Sequence, residues 1–278
     1  MLVTLNDVLQ RARNEHYAVG LFNTTDTDML QAAIEAAEEL RSPIVIGTAE
    51  VLLPYGELQL IGPAILAAAR RASVPVVVHL DHGLSFNRCL EALKLGFSSI
   101  MFDGSAHDYE KNVACTREIV RIAHAMGASV EGEIGHVGLA AKEDNLNTDQ
   151  YTTPMEAADY VRATGVDALA VAIGSAHGVY KSKPVLNIQR LKEIRASVST
   201  PLVLHGGSGL SDEDFRNTIA AGIAKVNIFT DMCLAGQKAM EMGLEKGLNY
   251  LELRNCKKQV IKEVVKNKIR LFGSEGKA

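Results

Sequence analysis

The sequence predicts a (β/α)8 barrel, a closed ring of parallel strands with helices on its outside. Short apolar runs rich in Val and Ile recur at intervals of roughly 25–35 residues, the length of one strand-plus-helix unit. Amphipathic segments lie between these runs. An open, doubly wound sheet is the alternative, but no GxGxxG follows the first run, and eight units suit closure. We therefore predict one barrel domain over residues 1–278, with a C-terminal helical extension.

The eight predicted strands are almost continuously apolar, as expected for parallel strands that are covered on both faces. They comprise residues 17–23, 43–48, 74–80, 98–103, 128–134, 167–173, 200–206 and 224–230.

Three of the predicted helices carry clear sequence signals. Residues 27–40 place apolar side chains every three to four positions, with acids between them. Residues 211–222 open with Ser211 and Asp214, which have the spacing of a capping box, and end on Gly222. Residues 249–278 predict an amphipathic helix with a short polar tail, and we expect its basic face to be solvated.

Composition excludes several classes of partner. The net charge is −4 and the pI is near 6.1, which gives no electrostatic reason to expect nucleic acid or an anionic membrane. The four cysteines form no CxxC pair, which indicates a reducing compartment and argues against a cysteine-ligated metal. The chain opens without a signal-peptide pattern and holds no apolar stretch of membrane-spanning length. We expect a cytoplasmic protein.

Polar residues cluster at the carboxyl ends of the predicted strands, where barrel enzymes place their chemistry. One such residue means little, but a ring of them at one rim is hard to explain by packing. They are Asn23, Asp81, His82, Asp103, Glu131, Glu133, His177, His205, Asn227 and Thr230.

Three of these residues are histidines on different strands, namely His82, His177 and His205. Three neutral imidazoles around one cavity favour a divalent metal with an open position, most naturally Zn²⁺. Such a metal keeps its full double charge and can polarise a carbonyl. The alternative is that each histidine is merely a hydrogen-bonded residue near a strand end.

The stretch "VVVHLDHG" (76–83) raises a question of side-chain direction. Strict alternation would point His82 away from Asp81. We expect Gly83 to let the chain turn there, so that His82 becomes the ligand. His79 is then a core or supporting histidine.

Glycine-rich loops predict an anion site. "HGGSGLSDED" (205–214) places Gly206, Gly207 and Ser208 before a helix N-terminus, where backbone N–H groups can cradle a phosphate. The next strand end adds Asn227, Ile228, Phe229 and Thr230. In "SAHGVYKSK", Gly178 offers backbone and Lys181 offers a charge, although Lys181 can equally be a solvated loop lysine.

Six blocks of sequence, in order, resemble the signatures of the class II, zinc-dependent ketose-bisphosphate aldolases, which include the fructose- and tagatose-bisphosphate aldolases. The blocks are "HLDHG", "MFDGSAHDYEKN", "EGEIGHVG", "IGSAHGVYK", "LHGGSGL" and "KVNIFTD". The resemblance covers almost the whole chain. It implies reversible cleavage of a phosphorylated ketose into dihydroxyacetone phosphate and an aldehyde.

The resemblance also implies roles for individual residues. His82, His177 and His205 match the ligands of one zinc ion per subunit, and Asp81 matches the acid/base at the C4 hydroxyl. The pocket for dihydroxyacetone phosphate matches Gly178, Gly206, Gly207, Ser208 and Asn227 to Thr230. Asp103 and Glu133 match carboxylates near an alternative metal position. The resemblance further implies a homodimer or homotetramer and, in some members, a monovalent cation near the phosphate.

Elementary chemistry agrees with a metal-dependent route. A bound metal can stabilise the negative charge left by C–C cleavage, and a neighbouring carboxylate supplies the base. The alternative route uses a lysine Schiff base. No lysine ends a predicted strand, and we expect Lys225 to lie at the opposite rim of the barrel.

The loop after the fifth predicted strand departs from the "GGxED" pattern of the family, because it reads "GHVGLAAKEDNLNTDQY". Glu143 and Asp144 are candidates for its acid, and the departure leaves the identity of the sugar open. Arg254 and Arg270 are the candidates for binding a second anionic group. Two other functions stay open from sequence: a metal-dependent sugar-phosphate epimerase or isomerase, and a non-catalytic barrel subunit.

Overall fold

The computed structural model describes residues 1–135, 137, 151–178, 180 and 184–278. Its strands confirm the predicted barrel. Eight parallel strands pair in the order β4-β3-β2-β9-β8-β7-β6-β5, and pairing of β5 with β4 closes the ring. A short strand, β1, pairs with β4 beside the ring and was not predicted.

Each of the eight predicted strands is present, with ends shifted by up to three residues. The strands are β1 (Leu2–Val3), β2 (Val19–Asn23), β3 (Ile44–Ala49), β4 (Val76–Gly83), β5 (Ser99–Phe102), β6 (Ser129–Ile134), β7 (Ala168–Val171), β8 (Leu202–Leu204) and β9 (Ile223–Ile228).

Helices follow the barrel strands along the chain. Within the described residues they are α1 (Leu5–Glu15), α2 (Thr27–Glu39), α3 (Leu58–Arg71), α4 (Phe86–Leu95), α5 (Tyr109–Ala125), α6 (Pro154–Thr164), α7 (Ile188–Ser197), α8 (Asp212–Ala220), α9 (Thr230–Glu245) and α10 (Tyr250–Phe272). A 3-10 turn, Glu50–Leu52, follows β3.

The amino-terminal end of the barrel is filled by apolar side chains. Leu5, Leu9 and Ala12 of α1 are fully buried and belong to one cluster with interior residues such as Val77 of β4 and Val203 of β8. Close packing at this end leaves the carboxyl end of the strands as the end where polar side chains can meet a ligand.

The basic face of α10 contradicts the expectation of a solvated surface. Lys258 lies 3.1 Å from Glu35 of α2, and Lys266 lies 3.1 Å from Glu39. Arg254 forms two hydrogen bonds to Asp28, of 2.9 and 2.6 Å. The expectation was wrong because α2 presents acidic residues to α10, so the two helices exchange ion pairs.

Among the described helices, none combines the length and apolar character needed to cross a membrane.

Candidate active site

The end of β4 turns two neighbouring polar side chains to the same side. His82 has a left-handed backbone, with φ of 44°, and the pairing of β4 with β5 shifts register between Leu80 and Gly83. This irregularity cancels the alternation that would point His82 away from Asp81. Both residues therefore line one cavity at the carboxyl end of the barrel.

The three predicted histidines come together. Nε2 of His82 lies 2.8 Å from Nδ1 of His205 and 3.2 Å from Nε2 of His177. One ring nitrogen from each histidine falls within 4.8 Å of the others. Three imidazole nitrogens that converge on one point fit a divalent cation with an open coordination position.

In two of these rings, a carboxylate contacts the nitrogen that faces away from the other histidines. Nδ1 of His82 lies 2.7 Å from Asp103, and Nε2 of His205 lies 2.8 Å from Glu131. A carboxylate on the far nitrogen fixes the tautomer and orients the ring of a ligating histidine. The opposite nitrogens of both rings are thereby directed to the common point.

Burial and neighbouring charges shift the pKa values of the three histidines in different directions. Burial, reinforced by the charge on His82, lowers the pKa of His177 to about 3 and also lowers the pKa of His205. Burial acts in the same direction on His82, but Asp81 and Asp103 outweigh it and raise its pKa to about 10. His177 and His205 are therefore neutral near pH 7, and His82 must release a proton before it can bind a metal.

A second donor group overlaps the first. Ring and carboxylate atoms of His82, Asp103 and Glu133 also lie within 4.8 Å of one another. Burial, with the charge of Asp103 adding to it, raises the pKa of Glu133 to about 8. These three side chains are close enough together to hold a metal ion beside the histidines.

Both oxygens of Asp81 accept hydrogen bonds from asparagine amides. Asn23 donates to Oδ2 at 2.7 Å, and Asn227 donates to Oδ1 at 3.0 Å. Burial would raise the pKa of Asp81, but the positive charge of His82 holds it well below its usual range. Asp81 is thus an oriented carboxylate beside the histidines.

The cavity has a volume of about 300 Å³. Its lining contains most of the predicted site residues, namely Asn23, Asp81, His82, Asp103, His177, Gly178, Gly206, Gly207, Ser208, Asn227, Ile228, Phe229 and Thr230. His205 and Glu133 are buried beneath it. Lys181, Glu143 and Asp144 lie outside the described residues.

Backbone groups form one end of the cavity. Gly178 and Gly206 have positive φ angles of 96° and 66°, and a Cβ on Gly178 would meet open space. Ser208 Oγ accepts weak hydrogen bonds from the N–H groups of Phe229 and Asp231, at 3.3 and 3.4 Å. The loop after β8 is thereby joined to the start of α9.

The helix that opens onto this end is α9 rather than α8. α9 begins at Thr230, which lines the cavity, and its N-cap residue, Phe229, makes no side-chain cap. In α8 the side chain of Ser211 accepts a hydrogen bond from the N–H of Asp214, and the side chain of Asp214 accepts one from the N–H of Ser211. Acidic residues also occupy the first turn of α8. No residue of α8 is among those that line the cavity, so the helix after "HGGSG" is not the one that reaches it.

Part of the cavity wall is apolar and was not predicted. It contains Ala49, Val51, Leu52, Leu84 and Val137. Apart from Ala49 at the end of β3, these residues lie in segments that follow strands, where no periodic pattern signals which side chains turn inward.

Lys225 and His79 are two further polar residues inside the barrel, and only Lys225 lies elsewhere than predicted. Lys225 is fully buried inside the barrel, not at the opposite rim, and its Nζ lies 2.8 Å from Glu131. Strand alternation explains this, because Lys225 shares a face of β9 with Asn227. His79 is a buried core residue whose Nδ1 lies 2.7 Å from Ser99 Oγ, and burial lowers its pKa to about 3.

The two arginines considered for a second anion are engaged on the surface. Arg254 pairs with Asp28, and Arg270 lies 3.8 Å from Glu275. Neither is among the residues that line the cavity in the described part of the chain.

Comparison with known proteins gives a consistent result. The family described as Fructose-bisphosphate aldolase class-II matches residues 3–277. The uncharacterised protein YdjI of Escherichia coli K12 is 43% identical over 268 residues, covering 96% of each chain. A fructose-bisphosphate aldolase of Thermus caldophilus is 40% identical over an alignment that covers 100% of both chains.

Solved structures agree. The crystal structure described as the YdjI aldolase of E. coli K12 has a TM-score of 0.92 at 40% identity and covers 100% of both chains. A putative fructose-1,6-bisphosphate aldolase of Coccidioides immitis has a TM-score of 0.87 at 30% identity, covering 97% of this chain and 96% of that one. Barrel, sequence and relatives together define an aldolase, a carbon–carbon lyase. The chain belongs to the class II fructose-bisphosphate aldolase family, whose members are generally metal-dependent.

Proposed function

We propose that this aldolase reversibly cleaves a phosphorylated ketose into dihydroxyacetone phosphate and an aldehyde, with one zinc ion per chain bound by His82, His177 and His205. The observation that carries the proposal is the convergence of three imidazole nitrogens within 4.8 Å, next to a doubly hydrogen-bonded carboxylate. A divalent cation bound there supplies Lewis-acid stabilisation for negative charge on the substrate oxygens.

Asp81 is the proposed proton carrier. In the cleavage direction its carboxylate takes the proton of the C4 hydroxyl as the C3–C4 bond breaks, and in condensation it returns that proton. Asn23 and Asn227 fix both oxygens, so the carboxylate does not need to reorient during the reaction.

Backbone N–H groups are the proposed phosphate site. Gly178, Gly206 and Gly207 bring main chain to the cavity without side chains in the way. The N-terminus of α9, where Thr230 lines the cavity, adds its partial positive charge, which suits an anion. This placement leaves the apolar wall of Val51, Leu52 and Leu84 for the aldehyde half of the ketose.

Three further properties are proposed on the family resemblance: a homodimer or homotetramer, a cytoplasmic location, and a monovalent cation near the phosphate. Light scattering after gel filtration measures the first. Activity in potassium, sodium and tetramethylammonium buffers measures the third.

The test separates metal binding from proton transfer. We expect His205→Ala to lose bound zinc and activity, whereas Asp81→Ala keeps zinc and loses condensation of dihydroxyacetone phosphate with aldehydes by about 100-fold or more. His124→Ala, at a half-exposed histidine on α5, is the control that keeps both. Equal zinc content in the His205 and Asp81 variants would contradict the ligand assignment. Epimer interconversion without triose phosphate release would favour an epimerase instead.

A further inference from the structure

Lys225 is a charged residue that the proposed mechanism does not use. It points into the barrel from the middle of β9, and none of its surface is exposed. A buried ammonium group is costly unless charged and polar partners compensate it. Its partners are therefore informative about its role.

The ammonium group contacts two polar side chains that each lead to a different part of the site. Its Nζ lies 2.8 Å from Glu131 Oε2 and donates a hydrogen bond to Asn227 Oδ1 at 2.8 Å. The other oxygen of Glu131 lies 2.8 Å from His205 Nε2. The amide nitrogen of Asn227 donates to Asp81 Oδ1 at 3.0 Å.

The two ends of an asparagine amide differ chemically, and Asp81 can accept from only one of them. An ammonium group at Oδ1 forces the NH2 group of Asn227 toward the carboxylate. Without that donor only the hydrogen bond to Asp81 holds the amide, and Asn227 can turn away from the carboxylate. The same ammonium group neutralises Glu131, which would otherwise be a buried unpaired charge beside His205.

We propose that Lys225 is a positioning residue that orients Asp81 through Asn227 and His205 through Glu131. The proposal rests on the proposed function, because it assigns Asp81 and His205 the roles given above. Lys225 itself does not touch the substrate. It fixes the position of the acid/base, Asp81, relative to one metal ligand, His205.

The test uses a pair of variants that preserves charge balance. Lys225→Met alone leaves Glu131 unpaired, and we expect a lower Tm. Lys225→Met combined with Glu131→Gln removes both charges and keeps an amide oxygen for His205. In this double variant, at saturating zinc, we expect kcat to fall about 10- to 100-fold, the effect of losing one oriented hydrogen bond to a charged group, with little change in KM.

Glu131→Gln alone is the matched control. It keeps the Lys225–Asn227–Asp81 branch, so its kcat at saturating zinc should exceed that of the double variant by about 10-fold or more, and equal kcat in the two variants would overturn the proposal. Its zinc affinity, measured by competition with a chromophoric chelator, should fall about 10- to 100-fold, because the carboxylate behind His205 is lost. A double variant with wild-type kcat at saturating zinc would overturn the proposal and reduce Lys225 to a counter-ion.

A crystal structure of the wild-type zinc enzyme tests the same point without any variant. We expect Nζ within hydrogen-bonding distance of both Asn227 Oδ1 and Glu131, and a separation beyond 4 Å from Asn227 would refute the proposal. Failure of the proposed function is recognised separately, because wild-type enzyme would then not condense dihydroxyacetone phosphate with any aldehyde.

Discussion

Replacement of Gly83 by alanine is the perturbation whose effect follows most directly from the geometry of the site. A Cβ at this position would lie 2.7 Å from Cys89 Sγ and 2.7 Å from the backbone oxygen of Met101. Both distances are below 3.0 Å, which real Cβ contacts essentially never reach. Because one neighbour is backbone of β5 and the other is a fully buried side chain, neither can move away cheaply.

The magnitude is that of an overpacked core. Forcing one methyl group into such a site costs about 1–3 kcal/mol. A change of 1 kcal/mol shifts Tm by about 2–4 °C in a domain of this size, so we expect a fall of roughly 2–12 °C. His82 precedes the strained position and depends on Asp103 across the same strand pair, so zinc affinity should fall about 10-fold or more.

Thermal unfolding followed by circular dichroism and zinc competition with a chelator give the two readouts. Gly236→Ala on α9 is the matched control, because its Cβ meets only side-chain atoms of Ile261 and Lys257, at 3.2 and 3.3 Å. That control should keep zinc affinity, because Gly236 lies outside the cavity lining. Wild-type Tm and zinc affinity in Gly83→Ala would refute the account of how β4 presents His82.

Three other predictions concern stability, the anion site and the reaction route. A hydrogen bond from Arg254 lowers the pKa of Asp28, so its stabilising effect is present above about pH 4 and is lost at lower pH. The Tm deficit of Asp28→Asn should therefore shrink between pH 6 and pH 3, and a constant deficit would contradict this. Tyr180 donates to the carbonyl of Gly206 at 2.8 Å, so Tyr180→Phe should raise KM for dihydroxyacetone phosphate more than it lowers kcat; an unchanged KM would disprove it. Borohydride traps a lysine Schiff base. Treatment with borohydride and dihydroxyacetone phosphate should leave activity intact because Lys225 is fully buried, and a reduced adduct detected by mass spectrometry would indicate a Schiff-base route instead.

The barrel was predictable because its strands are apolar on both faces and therefore conspicuous. Strand β1 was missed because two residues carry no periodicity. The ion pairs between α2 and α10 were missed for a different reason. A basic helical face reads the same in sequence whether water or an acidic helix covers it, and only the tertiary arrangement distinguishes these cases.

The cavity was largely predictable, because strand ends of a parallel barrel meet at one rim. Lys225 was predicted at the amino-terminal rim of the barrel because it lies near the start of the predicted strand. The period of two relative to Asn227 already put it on the inner face. The Ser211–Asp214 capping box was also visible in the sequence. It argues against an anion at the start of α8, because a helix that caps itself has fewer free N–H groups.

Zinc titration of metal-depleted enzyme tests the central claim most directly. The wild-type protein is stripped with a chelator, zinc is returned in steps, and condensation of dihydroxyacetone phosphate with a panel of aldehydes is measured at each step. We predict no activity in the stripped enzyme and a linear recovery that ends at one zinc per chain. Full activity in the metal-free protein would contradict the account.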